Sequence, residues 1–363
     1  MLAAVLKSPG NLVLEDIPPF ELGPGQVSVQ VEACGICGSD LRYFAGENPW
    51  ALHTLGKQLA NPPNIVLGHE FAGTVVETGP ETPDTLVGTR VAVMCFKTCG
   101  ECRLCTTGKP NLCRSTVHIG HGAGWGEREY YPGAMAERCV AWAEYCYELP
   151  EHVSSEEAAL LDVAGVGLHA ASLAEIEPGA TVLVLGVGPV GSAIMQSARV
   201  LGASRLIAVD TYDVARSIAD RLGATVTLDP AGVALMDAVK EITGGTGCNA
   251  VFDTVGTESS FRNALSLLAE SGTLVNLAIH PAEFRFKGTE LGGERRVRSS
   301  CNFLPEEYPE ALKLVASGSV DLKPWITHRF PLDHVERAFD VALHKEENRA
   351  FKVIIEPRSD NRK

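Results

Sequence analysis

The chain has 363 residues, 45% hydrophobic and 21% charged, with a formal net charge of -14. That length allows two domains with separate cores, and the apolar share excludes a disordered chain. The acidic balance speaks against nucleic-acid and anionic-membrane partners, and no apolar run of about 18 residues offers a membrane span.

The chain opens on a strand-like run at residues 2–6, with neither the apolar core nor the cleavage site of a signal peptide. A cytoplasmic location is therefore expected, and there the 11 cysteines are read first as metal ligands or catalytic groups. Short alternating runs at 26–31, 73–77 and 90–94 predict half-buried strands of a β-rich domain. Between about 155 and 300 the texture changes to apolar runs alternating with helical patterns, the spacing of βα units. Strands are expected at Thr181–Leu185, Arg205–Val209, 224–227, 250–253 and 273–276. Helices follow at 305–317 and 332–343, with a closing strand at 351–355.

Cys99, Cys102, Cys105 and Cys113 crowd four thiols into one Gly/Pro-containing lobe. Four thiolates at this spacing close a tetrahedron around Zn²⁺ and leave no open position, so the ion would be structural. Elsewhere, the strand Thr181–Leu185 runs into Gly186-Val-Gly188-Pro189-Val190-Gly191 and then a helical pattern. Such a turn lets backbone amides and a helix N-terminus approach a pyrophosphate. Asp210 ends the next strand, where an acid accepts from ribose hydroxyls and repels a 2′-phosphate, favouring NAD over NADP. Arg216 lies either on the adenine side or on an exposed helix face.

Cys37 in Cys34-Gly-Ile-Cys37-Gly-Ser-Asp40, and His69-Glu70 in Gly68-His-Glu-Phe-Ala-Gly73, are unremarkable taken singly. With the cysteine lobe and the glycine turn, in this order, the chain resembles the zinc-containing medium-chain dehydrogenases from its first strand to residues 351–355. Within them it is most similar to the sorbitol and polyol dehydrogenase branch. The resemblance implies an α/β protein in which a GroES-like catalytic domain, 1–155 and 300–363, is interrupted by a Rossmann NAD-binding domain, 156–299, with the active site between them. It implies that Cys37 and His69 bind a catalytic zinc, with Glu70 as a ligand or the ligands' close neighbour. Asp162 falls where the family has its third ligand, and whether it or Glu70 closes the resting site stays open. Ser39 matches the hydroxyl that takes the substrate proton. Cys34 and His169 match no ligand and are read as structural.

The implied activity is hydride transfer between a secondary alcohol and NAD, and the implied assembly is a homo-oligomer, a tetramer rather than a dimer. The chain departs from the pattern twice. Arg42 stands where many relatives carry a relay histidine, and an arginine cannot act as that base. Ser299-Ser300-Cys301-Asn302 stands where sorbitol dehydrogenases have Arg-Tyr-Cys-Asn. Two long loops, 47–64 and 118–133, supply Trp50, His53, Lys57, His118, His121, Trp125, Arg128 and Tyr130. These either suit a polyol, cyclitol or sugar-like substrate or make surface and subunit contacts. The rival expectations are a dehydrogenase of simple aliphatic or aromatic alcohols, an aldehyde reductase, and a catalytically silent nucleotide binder.

Overall fold

The computed structural model describes residues 1–279 and 283–357. It divides into two compact units, Met1–Asp162 with Ile326–Lys363, and Val163–Trp325. The boundary expected near 155 falls at 162. The return expected at 300 falls at Ile326, because the intervening residues are tied into the second unit. Gln196 exchanges two hydrogen bonds with the Asp321 backbone, at 3.1 and 2.7 Å. His169 pairs with Glu307 at 2.9 Å.

In the first unit, alternation builds sheets with one face inward. Asn11–Asp16, Leu2–Ser8 and Ile65–Val66 form one small sheet, which buries Ala3, Val5 and Val66 against Ile17 and Ala136. The larger sheet runs Cys146–Glu148, Arg90–Val93, Glu70–Thr78, Gln26–Gly35, Lys352–Glu356, Ile326–Pro331, with Arg138–Trp142 also paired to Gln26–Gly35. At its centre Gly35 lies in register with Glu70 on one side and Ile354 on the other. Gly35 thus stands between the C-terminal strand and the strand that begins at Glu70.

In the second unit, among the described residues, the sheet has six parallel strands. Their order is Val226–Leu228, Arg205–Val209, Thr181–Leu185, Cys248–Asp253, Leu268–Asn276, Arg296–Ser299. Numbered along the chain, this is the 3-2-1-4-5-6 order of a doubly wound sheet. Leu183, Ile207, Val251 and Leu274 from the strands pack with Val239, Phe261 and Leu265 from the helices. The edge strand Arg296–Ser299 was not expected from sequence, since its residues carry little apolar signal. The expected helix at 305–317 is observed as Glu307–Ala316, and that at 332–343 as a 3-10 turn leading into Val335–Leu343.

Candidate metal and nucleotide sites

The cysteine lobe is the simpler site. Its sulfur atoms are separated by 3.9 Å (Cys99–Cys105), 3.6 Å (Cys102–Cys105), 3.9 Å (Cys102–Cys113) and 3.5 Å (Cys99–Cys113). A tetrahedral ion with Zn–S bonds of about 2.3 Å needs sulfur–sulfur edges of about 3.8 Å, so the four thiols already outline its shell. Disulfide bonds, at about 2.05 Å, are excluded by the same distances. Backbone N–H groups of Cys102 and Ser115 point at the sulfurs of Cys99 and Cys113, each at 3.4 Å. The amides of Cys102 and Glu101 pull the Cys99 thiol down to about 7, toward the thiolate that a metal requires.

The second cluster is assembled from distant segments. Cys37 is the N-cap of the helix Gly38–Phe44, and Asp40 in its first turn is fully buried. One carboxylate oxygen of Asp40 accepts from the Cys37 amide at 2.8 Å and the other from the Gly68 amide at 3.2 Å. Asp40 thereby joins the segment carrying Cys37 to the segment carrying His69. It also stands 3.5 Å from His69 Nδ1, which leaves Nε2 turned toward the Ser39 hydroxyl, also at 3.5 Å. A carboxylate behind a histidine in this way fixes the ring and makes it a better ligand. Sequence reasoning quoted Asp40 within the motif but gave it no role.

Glu70 begins its strand in full burial, and Lys352 from the C-terminal strand reaches it at 2.5 Å. Gly35 makes the room: a Cβ there would lie 2.4 Å from the Glu70 carboxylate and 3.2 Å from the Lys352 side chain. Lys352 was also missed. Its signal was a lone cation inside the apolar run 351–355, which a buried strand tolerates only with a counter-charge.

The ligand atoms of Cys37, His69 and Glu70 all lie within 4.8 Å of one another. Asp162 is not in that set. It sits in the first turn of the helix Leu161–Leu173, and its carboxylate accepts from the Cys95 thiol at 3.3 Å. Burial, against the field of His69, pushes Asp162 up to about 6. Whether a metal fits the three-residue set can be judged from the polar atoms around it. Apart from their ion pairs with Lys352 and Asp40, the Glu70 carboxylate oxygens and His69 Nδ1 are buried without a hydrogen-bond partner. Burial alone would lower His69, but Asp40 and Cys37 raise it well above its ordinary range, so its surroundings favour positive charge. A soft thiolate, an imidazole and a carboxylate, short of positive charge, suit Zn²⁺ with a fourth position open.

Around this cluster the structure gathers some of the loop residues and leaves others out. His118 and His121 stack on each other with ring centroids 4.1 Å apart, and Tyr43 and Trp50 lie against His121 at 5.2 and 6.0 Å. Burial first, then the neighbouring imidazoles, pushes His118 down to about 3 and His121 well below its usual value, so both rings are neutral. Trp125 stacks on Trp142 with Arg128 over its ring, and Tyr130 donates to Glu15. His53 and Lys57 are exposed. Arg42, in the relay-histidine position, is bound by Glu47 at 2.7 Å. Cys34 is buried, and Ser300 is buried in the second unit with its amide on the Asn276 carbonyl at 3.0 Å.

In the second unit the glycine turn follows the first-numbered strand, at the point where the strand order reverses. Gly186 has φ +83, and a Cβ at Gly191 would lie 2.0 Å from the Gly186 carbonyl, so both must be glycine. Gly188 caps the helix Pro189–Val200, and a Cβ there would meet nothing within 4 Å. A phosphate can therefore approach the backbone and the helix N-terminus, with Pro189 at the first helical position and Val190 beside it. Asp210 accepts from the amides of Val187 at 2.9 Å and Tyr212 at 2.9 Å, which fixes its carboxylate beside the turn. Arg216 donates to the Asp210 carbonyl at 2.6 Å and pairs with Asp229 at 3.5 Å, so it braces the acid's loop.

A set of metal-binding donors, a four-cysteine lobe and a glycine turn on a doubly wound sheet are the parts expected of a zinc- and nicotinamide-dependent dehydrogenase. Residues 23–151 match the alcohol dehydrogenase GroES-like domain, and residues 189–317 match the zinc-binding dehydrogenase domain. An L-idonate 5-dehydrogenase of Vitis vinifera is 32% identical over 328 residues, covering 88% of this chain and 86% of that protein. A sorbitol dehydrogenase of Bacillus subtilis is 28% identical, covering 98% and 97%. A Sinorhizobium meliloti protein solved with NADP bound superposes with a TM-score of 0.87 at 29% identity, over 98% of this chain and 99% of that one. The chain belongs to the zinc-containing medium-chain alcohol dehydrogenase family, in its polyol branch.

Proposed function

We propose that the chain oxidises a secondary alcohol, of the polyol, cyclitol or sugar-like class, with NAD as hydride acceptor. The observation that carries this reading is the Cys37–His69–Glu70 set, its His69 and Glu70 buried and its Cys37 half-buried, with Ser39 beside His69 and Asp40 and Lys352 holding the ligands. The names of the relatives support the substrate class.

Zinc held by Cys37, His69 and Glu70 would act as a Lewis acid, making a bound hydroxyl easier to deprotonate near neutral pH. Ser39 takes the hydroxyl proton and passes it toward solvent; Arg42, held by Glu47, has no part as a base. Nicotinamide dinucleotide, held at the glycine turn of Gly186, Gly188 and Gly191, would supply the acceptor for the carbinol hydride. Alcohol and NAD thus become ketone, NADH and a proton. Asp40 keeps His69 in one orientation throughout, and the Lys352 ammonium offsets the Glu70 charge. Cys99, Cys102, Cys105 and Cys113 would hold a second zinc, whose role with four thiolates would be structural.

Asp210, fixed at the strand end, supports NAD over NADP by charge repulsion of a 2′-phosphate. The test is steady-state kinetics on a panel of polyols and simple alcohols with both cofactors. NAD-dependent polyol oxidation supports the proposal, equal or better efficiency with NADP refutes the role given to Asp210, and preference for simple alcohols moves the chain to that class.

A homo-oligomer, as a tetramer, is part of the same reading. It is supported by the sheet edge at Arg296–Ser299, where Val297 is 42% exposed. Light scattering at micromolar concentration tests it, and a monomer refutes it. The acidic charge and the absence, among the described residues, of a helix able to cross a membrane support a cytoplasmic enzyme without nucleic-acid partners.

A further inference from the structure

We infer that the Ser300 hydroxyl and the Asn276 side-chain carbonyl hold the carboxamide of the nicotinamide, Ser300 donating to its oxygen and Asn276 accepting from its nitrogen. The inference rests on the dehydrogenase reading above and assigns two further residues to its cofactor.

In the second unit, polar side chains at the carboxyl ends of the central strands are already engaged. Asp253, in register with Asn276 on the next strand, accepts from the amides of Val255 at 2.9 Å and Gly256 at 3.1 Å. It also accepts from the Ser260 hydroxyl at 2.9 Å. The Thr254 hydroxyl donates to the carbonyls of Leu185 at 3.1 Å and Gly186 at 2.8 Å. Asn276 Oδ1 and Ser300 Oγ differ: both are buried without a hydrogen-bond partner, and Ser300 as a whole is 5% exposed. Burying a hydroxyl or an amide in this state is costly where alanine or leucine would fill the same space, unless a ligand brings the partner.

The backbone fixes both residues. Asn276 ends the strand Leu268–Asn276 in register with Ser299, and the Ser300 amide donates to the Asn276 carbonyl at 3.0 Å. Just beyond, Asn302 takes φ +53 and Phe303 is fully buried, its ring 3.2 Å from where a Gly165 Cβ would lie. The Leu304 amide donates to Glu307 at 2.7 Å.

Place on the sheet selects the ligand. A sheet of 3-2-1-4-5-6 order takes one half of a dinucleotide on each set of three strands, at their carboxyl ends. With Asp210 ending the second strand on the adenosine side, the nicotinamide falls to the fourth, fifth and sixth. Asn276 ends the fifth strand and Ser300 follows the sixth. A primary carboxamide carries one acceptor oxygen and a donor nitrogen, the complement of a hydroxyl donor and a carbonyl acceptor. Ser300 also lies in the segment where the chain departs from the sorbitol dehydrogenases, so the pair belongs to this chain.

Calorimetric titration of the zinc-replete protein, without turnover, tests the pair. It measures dissociation constants for NADH, for the reduced acetylpyridine analogue of NAD, and for ADP-ribose. The acetylpyridine ring keeps the carbonyl oxygen and loses the N–H donors; ADP-ribose has no ring. The parent should bind NADH about tenfold more tightly than the acetylpyridine form, which leaves the Asn276 acceptor unpaired. Asn276→Leu should weaken NADH about tenfold and erase that preference, with ADP-ribose unchanged. Ser300→Ala should weaken NADH and the acetylpyridine form alike, by about three- to tenfold, and again leave ADP-ribose unchanged. A parent that binds the two reduced dinucleotides equally overturns the inference. So does an Asn276→Leu protein that keeps the preference, or a Ser300→Ala protein with parental affinity for both. Should Asn276→Leu not fold, the parental ratio and Ser300→Ala, which removes a single oxygen, decide. Binding of ADP-ribose without discrimination between the rings fails this inference alone. A parent that binds none of the three fails the dehydrogenase reading, and this inference with it.

Discussion

The two candidate zinc sites of the first unit are built in opposite ways. The cysteine lobe takes four identical donors from one short stretch, and its sulfur–sulfur distances of 3.5–3.9 Å match a closed tetrahedron. The Cys37–His69–Glu70 set draws three different donors from two segments about 30 residues apart, and each donor leans on a neighbour: Cys37 and His69 on Asp40, Glu70 on Lys352. A closed site can be encoded locally because it has only to hold its ion. An open site must also keep a position vacant, orient its ligands and offset their charge, so its supports come from across the fold. The lobe should therefore report on stability, and the scattered set on chemistry.

The largest effect expected is on chemistry. His69→Ala should cost about three orders of magnitude or more in kcat/KM and one of two zinc ions per chain, with the melting temperature little changed. Metal analysis beside steady-state kinetics decides. A variant that keeps both ions removes His69 from the ligand set.

Cys102→Ser should do the reverse. It should lose the lobe's zinc and several kcal/mol of stability, without altering the order of preference among alcohols. A variant that melts like the parent with its zinc intact would contradict the structural role of the lobe.

Next comes the support of the open site. Lys352→Met leaves the Glu70 carboxylate buried beside an apolar chain, and loss of one partner of a buried pair costs about 3–5 kcal/mol. Denaturant unfolding measures it. Adding Glu70→Gln should return much of the loss, because the uncompensated charge is then gone. If the double variant is no more stable than Lys352→Met alone, the pair is not what holds the strand ends together.

The same contrast explains what the sequence disclosed. The four cysteines and the glycine turn were legible because their chemistry is compressed into one segment each and their spacing is itself the geometry. The second unit's strands at Thr181–Leu185 and Arg205–Val209 were legible for a related reason: both are buried and bounded by turns. Lys352 was not, since nothing in its own segment says that Gly35 leaves room for it to reach Glu70. The segment following Ser299 was assigned to the wrong unit for the same reason. A helical pattern shows that Glu307–Ala316 is a helix, but not that Glu307 pairs with His169 or that Asp321 binds Gln196.

The smallest effect separates the two carboxylates of the open site. From the sequence, Asp162 matched the family's third-ligand position, and whether it or Glu70 closes the resting site stayed open. In the structure Glu70 lies within 4.8 Å of the other two donors, with both its oxygens short of hydrogen bonds. Asp162 stands apart, accepting the Cys95 thiol at 3.3 Å and pushed up to about 6 by burial. Glu70 has both oxygens short of hydrogen bonds and is balanced by Lys352, whereas Asp162 already accepts the Cys95 thiol. Asp162→Asn preserves shape and keeps an acceptor for Cys95, so it should retain both zinc ions and lower kcat/KM by less than about tenfold. Glu70→Gln, measured alongside, should weaken the catalytic ion, raising its dissociation constant about 10- to 100-fold. If instead Asp162→Asn loses an ion and Glu70→Gln keeps both, the third ligand is Asp162, and Glu70 with Lys352 is the support behind it.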